Sequence, residues 1–341
     1  MAKHVFPTKK VKSKITLVFL IIVAVVITLS DAYENYKSFE KAKQAIAQTN
    51  GLFSVHFIDV GQGDSTLLAT PDGKYMLIDC GPTDSSDYLV KYLDNIGVDT
   101  LEYLVISHPH EDHYGGAEAV LENFEVENLI VHEEFVSEYP YDMYINEYGN
   151  NPDNADLEVC FAKPGDLYDF SDCAEFMIIA PEKPDKENLN NASICLKVIF
   201  GTNAFLFTGD AEKSVEREML GTGFNLSADV FKAAHHGSST SNIKAFVEQI
   251  SPQIAVVSCE KDNDYGHPHK ETLETFKEQK VTVLRTDEAS DVVICSDGEN
   301  VKYIGNMFSD EIQLNTEVKG NYFFEYIINL IRDGLGRVLL D

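Results

Sequence analysis

The stretch SHPHEDHYGG places three of the chain's ten histidines within six positions. Pro109 excludes an undisturbed helix there, so His108 and His110 do not form a helical His-x-x-x-His zinc motif. In an extended loop, residues two apart point to the same side, which predicts that His108, His110 and Asp112 converge while His113 reaches a second point. Imidazole and carboxylate are donors that zinc, and sometimes iron or manganese, prefers. The motif therefore predicts a pair of metal ions, with a solvated histidine-rich loop as the alternative.

The segments on either side indicate how these side chains are positioned. LEYLVIS, before the motif, is apolar and rich in β-formers, which predicts a strand that ends at Ser107. AEAVLENF, after Gly115 and Gly116, predicts a helix. The histidines therefore lie on a strand-to-helix loop, where ligands often gather in α/β proteins.

A second strand-to-helix junction supplies a carboxylate. NAFLFTGDAEKSVEREML predicts an apolar strand that ends at Thr208, Gly209 and Asp210, followed by a helix. Asp210 is then placed to bridge two metal ions. Its alternative role is N-cap of the following helix.

Two adjacent histidines follow the next predicted strand, in ADVFKAAHHGSSTSN. Adjacent side chains at a strand end point oppositely, so we expect either His235 or His236 to be a metal ligand. The other is expected to lie behind a ligand or to touch substrate. A helix predicted to start at residues 238–241 places Ser238 at its N-terminus, which predicts an anion-binding site there.

A further junction places His267 and His269 after the predicted strand IAVVS. His267 is predicted to be a proton donor or a phosphate contact, with an ordinary surface role as the alternative, and His269 is expected at the surface. Seven of the ten histidines thus fall on three strand-to-helix loops. Histidines scattered through a core or a surface would not cluster in this way.

Charge and cysteine content limit the function. The formal net charge is −29, and no basic run lies outside the N-terminus, which argues against long processive contact with nucleic acid. Two bound divalent ions would make the site itself locally positive, so the net charge is compatible with a small anionic substrate. The six cysteines form no Cys-x-x-Cys pair, so a thiolate zinc site is not indicated. Cys160 and Cys173 are the one predicted disulfide.

The N-terminus predicts export. Five lysines among the first fourteen residues precede ITLVFLIIVAVVITL, about 22 Å long as a helix. Residues 1–32 are therefore predicted to be a cytoplasmic lysine-rich tail with a signal anchor or a cleaved signal peptide, followed by a spacer at 33–50. Either outcome places the remainder outside the cytoplasm, anchored at the membrane through residues 15–29 or secreted. A buried helix of the globular domain is the alternative.

Seven ordered motifs carry a resemblance to a known family: VHFIDVGQGDSTLLAT, YMLIDCG, ISHPHEDHYGG, NNASICLKV, FLFTGD, VFKAAHHGS and YGHP. Together they resemble the metallo-β-lactamase-fold hydrolase domain of the ComEC/Rec2 DNA-uptake family. The resemblance implies an α/β fold, a four-layer αββα sandwich, over residues 51–305. Residues 133–172 are a variable insertion, in which tyrosines could form a lid over substrate or lie in a solvated loop. Residues 306–341 are a C-terminal tail with an amphipathic helix.

The resemblance also implies roles for individual residues. His108 and His110 would hold one metal and Asp112 and His113 the other, with Asp210 bridging and His235 or His236 completing the second site. Residues expected behind the ligands or against substrate are Asp64, Asp79, Asn191, Ser193 and Ser238. Catalytic roles are implied for Asp112, Asp210 and His267.

The chain departs from the family pattern at one ligand position. Members of the broader fold often carry a ligand histidine where this chain has NNASICL. Asn191 or Ser193 must therefore stand in, or the first metal has fewer protein ligands. The family's full-length proteins also carry a multi-helix channel, and one apolar segment predicts no such transport role.

Taken together, the sequence predicts an extracytoplasmic binuclear hydrolase. Two divalent ions, expected to be Zn²⁺ with Mn²⁺ or Fe²⁺ as alternatives, would activate a bridging hydroxide. The expected substrate is a phosphodiester in a cell-wall polymer, a nucleotide or nucleic acid. The alternatives are a β-lactam or other amide hydrolase, and a non-catalytic binding component of a surface or DNA-uptake assembly.

Overall fold

The computed structural model describes four parts of the chain: residue 49 and residues 51–138, 140–149 and 157–305. The predicted anchor at 15–29 and the C-terminal tail at 306–341 lie outside these described residues, as does nearly all of the predicted spacer. Within the described parts, none of the helices is both long and apolar enough to cross a membrane.

Strands form two sheets. The strands are β1 Phe53–Phe57, β2 Thr66–Ala69, β3 Tyr75–Ile78, β4 Thr100–Val105, β5 Glu125–Val131, β6 Glu158–Phe161, β7 Leu167–Ser171, β8 Ala174–Ala180, β9 Cys195–Phe200, β10 Asn203–Phe207, β11 Val230–Lys232, β12 Ile254–Val257, β13 Thr282–Arg285, β14 Val292–Ser296 and β15 Val301–Gly305. The first sheet has the order β15-β14-β1-β2-β3-β4-β5-β6, and the second the order β13-β12-β11-β10-β9-β8-β7.

Helices connect many of the strands. They are α1 Ser86–Ile96, α2 Glu111–Tyr114, α3 Ala117–Asn123, α4 Tyr141–Tyr144, α5 Lys213–Gly221, α6 Lys244–Ile250, α7 Lys270–Glu278 and α8 Thr286–Ala289. Short 3-10 turns occupy Thr83–Ser85, Glu133–Phe135, Leu189–Ala192 and Ala234–Gly237, and a π-helical turn occupies Ile145–Gly149.

The central core lies between the two sheets. Along β1, Phe53, Val55 and Phe57 alternate with polar residues and face the second sheet, where they pack with residues such as Phe205 and Phe207. This period-two alternation is what a strand covered on one face by another sheet requires.

Helices cover the outer face of each sheet. Helices α1 and α3 pack their apolar faces, including Leu93 and Val120, against the first sheet. Helices α5, α6 and α7 pack residues such as Met219, Phe246 and Phe276 against the second sheet. The predicted sandwich of two sheets between helical layers is confirmed.

Parallel strands bring the predicted site residues to one edge. Strands β3 to β6 are mutually parallel, as are β10 to β13, so their carboxyl ends share an edge of each sheet. Close packing fixes the loops there. A Cβ at Gly116 would lie 2.4 Å from the carbonyl oxygen of Cys80, so only glycine lets α3 start against the loop that follows β3.

The segment predicted as a variable insertion contributes to both sheets. Its residues form β6, which pairs with β5, and β7, which pairs with β8. Tyr141 and Tyr144 are buried in the outer core of the first sheet, so neither ring can stack on a substrate as a lid, and Tyr139 lies outside the described residues. The predicted disulfide is wrong, because Cys160 and Cys173 are both free thiols.

Candidate metal centre

Four side chains converge at the shared edge of the sheets. Asp112, His113, Asp210 and His236 each offer a ligand atom within 4.8 Å of the others, and we call these four the metal cluster. His113 Nε2 lies 3.4 Å from Asp210 Oδ1. His236 Nε2 lies 3.5 Å from Asp210 Oδ2 and 3.3 Å from Asp112 Oδ2. Three of the four are almost fully buried.

The spacing of these atoms fits a cation. His113 Nε2, His236 Nε2 and Asp210 Oδ1 are buried without a hydrogen-bond partner among the described residues. Their separations from one another and from Asp112 exceed ordinary hydrogen-bond lengths of about 2.7–3.2 Å. The separations of 3.3–3.5 Å match the roughly 3.3 Å expected between two ligands that each lie about 2.0–2.1 Å from a tetrahedral zinc ion, and His113 Nε2 lies somewhat farther, 3.8 Å, from Asp112 Oδ2. Buried polar atoms normally have partners, so this donor set fits a divalent ion.

Asp79 orients His113. The Nδ1 atom of His113 donates to Asp79 Oδ2 at 2.8 Å, and Asp79 Oδ1 accepts the backbone N–H of Ser107, so Nε2 is left facing the metal cluster. Burial lowers the pKa of His113, but the carboxylates of Asp210 and Asp79 together raise it well above its ordinary value. A carboxylate behind a histidine ligand is the usual arrangement in metal sites.

A buried ion pair lies behind His236. The Nδ1 atom of His236 donates to the carbonyl oxygen of Ser258 at 3.1 Å and lies 3.2 Å from Asp64 Oδ1. Lys232 Nζ lies 2.9 Å from the same Asp64 oxygen. Burial raises the pKa of Asp64, but Lys232 and His236 hold it well below its usual range. The sequence analysis missed Lys232, although a lysine in the apolar strand VFKAA is a signal that could have found it.

Backbone conformation separates the two adjacent histidines. His235 and His236 have φ values of 52° and 51°, a left-handed conformation that costs about 1–2 kcal/mol per residue. Asn242 holds this turn, because its Oδ1 accepts the N–H of Ala234 and its Nδ2 donates to the carbonyl oxygen of Ala234. His236 therefore enters the metal cluster, whereas His235 Nε2 stays 3.7 Å from Asp210 and its Nδ1 lies 3.0 Å from Thr240 Oγ1.

His108 and His110, which we call the histidine pair, lie beside the metal cluster. His108 Nε2 is 3.0 Å from His110 Nδ1, and the rings of His108 and His113 are 4.2 Å apart. Burial, with the nearby charge of His113, lowers the pKa of His108 well below its ordinary value, so this imidazole is neutral and can act as a ligand.

The grouping expected from an extended loop is wrong. The loop is extended only as far as His110, and Glu111–Tyr114 forms a helical turn. A helical turn rotates consecutive side chains by about 100° each. Asp112 therefore joins His113 instead of His108 and His110, which is the grouping that the family resemblance implies.

Neither predicted stand-in for the missing histidine is free to serve. Asn191 Oδ1 accepts the backbone N–H of Glu212 at 3.1 Å. Ser193 Oγ accepts the backbone N–H of Asp210 at 2.9 Å and lies 3.3 Å from His108 Nδ1. Both residues therefore support the loop that carries Asp210.

Ser238 does not form the predicted anion-binding site. The helix begins at Lys244 instead of at residues 238–241. The Ser238 hydroxyl is buried and lies 3.1 Å from Thr240 Oγ1, so it faces its own loop. His269 Nδ1 accepts the N–H of Ser239 and likewise stabilises this loop.

An open cleft of about 320 Å³ lies over the metal cluster. Its outer wall includes His235, Tyr265 and His267, which we call the rim. The Tyr265 and His267 rings are stacked, with centroids 5.6 Å apart, and Tyr265 is 67% exposed. The sequence analysis missed Tyr265, whose place between Asp264 and Gly266 gives no signal beyond a turn.

Burial determines the protonation of His267. Burial, with the charges of His236 and His235, lowers its pKa to about 4, so the imidazole is neutral at neutral pH. A neutral imidazole donates one hydrogen bond but is a weak source of protons. Of the two predicted roles, the phosphate contact fits this geometry better than the proton donor.

Comparison with known proteins identifies relatives. Residues 58–261 match the metallo-beta-lactamase superfamily. ComE operon protein 3 of Bacillus subtilis (strain 168) is 34% identical over 251 residues, covering 69% of this chain and 32% of that protein. Competence protein ComA of Neisseria gonorrhoeae is 30% identical over 231 residues, covering 67% and 30%. Recombination protein 2 of Haemophilus influenzae is 26% identical over 287 residues, covering 82% and 32%.

These matches confirm the resemblance inferred from the seven motifs. The chain spans about a third of the length of these curated relatives.

Proposed function

Since this chain belongs to the metallo-beta-lactamase superfamily, we propose that it is an extracytoplasmic, binuclear metal-dependent hydrolase that cleaves phosphodiesters. The observation that carries the proposal is the set of buried atoms of His113, Asp210 and His236 that face one another and have no hydrogen-bond partner within the described parts of the chain. When bound, two divalent ions would stabilise the oxyanion that develops at the phosphate and acidify a water between them. We expect zinc, with manganese or iron as alternatives.

The chain's own residues divide the remaining work. Asp112 and Asp210 supply negative charge that balances the ions, and Asp79 and Asp64 fix the orientation of the two histidine ligands behind them. This leaves the Nε2 atom of each imidazole directed at the metal cluster.

The rim provides contacts for the substrate. Burial lowers the pKa of His235 and of His267, so both rings are neutral. Each neutral ring can still donate one N–H hydrogen bond to a phosphate oxygen. Tyr265 offers an exposed aromatic face beside them, which suits a planar group or a sugar ring next to the scissile phosphate.

The substrate classes that we propose are a cell-wall polymer, a nucleotide and nucleic acid. The net charge of −29 favours short local contacts over long tracking of a nucleic acid backbone. Residues 15–29 would hold the uncleaved chain at the membrane, with the hydrolase domain outside the cytoplasm.

A second candidate is a non-catalytic binding component of a DNA-uptake assembly. It draws support from the competence protein of Neisseria gonorrhoeae among the relatives. In this alternative, the chain would bind DNA without turning it over.

The test uses the full-length chain purified without chelator. Turnover of bis-p-nitrophenyl phosphate is measured for wild type, His110→Ala and Asp210→Asn, with nitrocefin as a parallel substrate and metal content determined by elemental analysis. We expect phosphodiester turnover that is lost in both variants. Nitrocefin hydrolysis alone would favour the amide hydrolase, and tight DNA binding without any turnover would favour the binding component.

A further inference from the structure

The histidine pair is incomplete as a metal site. In the described parts of the chain, neither His108 nor His110 belongs to a group of three His, Cys, Asp or Glu side chains whose ligand atoms all lie within 4.8 Å of one another. Zinc sites normally use at least three protein ligands. An ion held by His108 and His110 therefore needs a donor of another type.

The turn at Leu189–Ala192 supplies one candidate atom. Asn191 and Ser193 already bond to backbone N–H groups. Asn190 Oδ1, in contrast, is buried and has no hydrogen-bond partner among the described residues. Asn190 also lines the same cleft as His110 and Asp210. A buried amide oxygen without a hydrogen-bond partner normally lowers the stability of a fold by about 1–3 kcal/mol. A bound metal ion would remove this penalty.

We propose that Asn190 Oδ1 is the third protein donor for the ion held by His108 and His110, in the place that a histidine occupies elsewhere in the fold. The inference rests on the metal centre proposed above and assigns its unexplained ligand. It also gives the two halves of the centre different donor sets. The metal cluster contains two imidazoles and two carboxylates, whereas this half contains two imidazoles and one neutral amide oxygen.

The donor type predicts a metal preference. Amide and carboxylate oxygens are hard donors that suit manganese, whereas imidazole suits zinc, copper and iron. Replacing a histidine by an amide oxygen therefore lowers the ratio of zinc affinity to manganese affinity at this position. The half-site that contains Asn190 is expected to bind zinc more weakly than the metal cluster does, because it has fewer protein donors and none of them is charged.

The experiment is a metal titration that does not depend on catalysis. Full-length protein freed of metal by chelation and dialysis is titrated with Zn²⁺ and separately with Mn²⁺ by isothermal calorimetry. Wild type is compared with Asn190→Ala, which removes the donor, and Asn190→His, which restores an imidazole. Asn188→Ala is the matched control: it lies next to the same turn and donates to Glu212, but Asn188 is absent from the cleft wall.

The expected result is a change confined to the weaker site. Loss of a supporting residue behind a ligand costs about 10–100-fold in metal affinity, so Asn190→Ala is expected to weaken both metals there by at least about tenfold. Asn190→His is expected to raise the ratio of zinc to manganese affinity by about tenfold or more. Asn188→Ala is expected to match wild type.

Two outcomes would overturn the inference, and only one of them would also overturn the metal centre. If both Asn190 variants bind both metals as wild type does, Asn190 is not a ligand, although the metal centre stands. If wild type binds neither metal, the metal centre itself fails and the inference fails with it. Thermal unfolding of the metal-free proteins checks that the Asn190 variants fold, and the gain expected of Asn190→His cannot arise from misfolding.

Discussion

The metal cluster and the rim lie in the same cleft but are built differently. In the cluster, His113, His236 and Asp210 are at most 2% exposed, and a second atom of each is held by a buried partner. In the rim, Tyr265 is 67% exposed and contacts the ring of His267.

The difference indicates a division of labour. Side chains fixed from behind suit ions that must be held in one geometry. Rings in the wall of an open cleft, one exposed and two half-buried, suit a substrate that must enter and leave. We therefore expect changes in the cluster and its supports to alter metal binding or stability, and changes in the rim to alter KM or turnover without loss of metal.

The largest contrast is expected between the two adjacent histidines. His236→Ala removes a cluster ligand and should cost several kcal/mol of transition-state stabilisation, about a thousandfold in turnover, together with bound metal. His235→Ala removes a rim contact and should keep the metal, with turnover reduced about tenfold. Metal analysis and phosphodiester kinetics on both variants check this. Equal metal loss in the two variants would erase the distinction between cluster and rim.

Asp291 tests whether the loop that carries Asp64 behind the cluster is itself held by buried polar contacts. It accepts the backbone N–H of Asp59 and the Tyr88 hydroxyl. Burial raises its pKa to about 6, although these hydrogen bonds lower it.

Because the pKa of Asp291 in the folded state lies above its unfolded value, the folded protein binds more protons between the two values. Stability therefore falls as pH rises through this window, by up to about 3 kcal/mol. Asp291→Asn mimics the protonated carboxyl and should remove this decline. Denaturant unfolding from pH 4 to pH 8 measures it, and parallel curves for the two proteins would show that Asp291 does not titrate as expected.

Asp79→Asn is expected to have a smaller effect than loss of a ligand. The variant keeps the size of the side chain but removes the charge that holds the N–H of His113 Nδ1. Metal affinity should fall about 10–100-fold, which calorimetric titration with zinc would measure. Glu102→Gln, a carboxylate on β4 paired with Lys74, is the control. Unchanged affinity in Asp79→Asn would mean that His113 is oriented by its packing alone.

Tyr265→Ala should have the smallest effect. Loss of one exposed aromatic contact is worth about 0.5–1.5 kcal/mol when a ring binds there. KM for an aryl phosphodiester should therefore rise, with metal content unchanged. Tyr303→Ala, another exposed tyrosine that does not line the cleft, controls for the loss of surface area. The same KM in both variants would remove Tyr265 from the substrate site.

Local sequence patterns predicted where the strands end. The apolar runs before His108, Asp210 and His235 form β4, β10 and β11, because buried strands are short apolar segments bounded by glycine and polar loops. The parallel order of these strands then brings their ends to shared edges. This part of the site depends on patterns that lie within about ten residues of each other, which a sequence displays directly.

Long-range pairing could not be predicted in this way. Lys232, on strand β11 of the second sheet, and Asp64, on the loop between β1 and β2 of the first sheet, form a buried ion pair, and no local pattern relates them. Asn190 and Asn191 are identical neighbours, and only the tertiary structure shows that Asn191 bonds to backbone while Asn190 does not. The helical turn at Glu111–Tyr114 was missed because one turn of helix has no periodicity to detect.

The most direct test of the central claim is the number of metal ions that each folded chain holds. Full-length wild type and Asp210→Asn are loaded with zinc, dialysed against metal-free buffer and measured by elemental analysis. The metal cluster and the histidine pair, each holding one ion, predict two ions per wild-type chain and one or none in Asp210→Asn. Wild-type protein without metal, or a variant that retains both ions, would contradict the assignment of these residues as a binuclear centre.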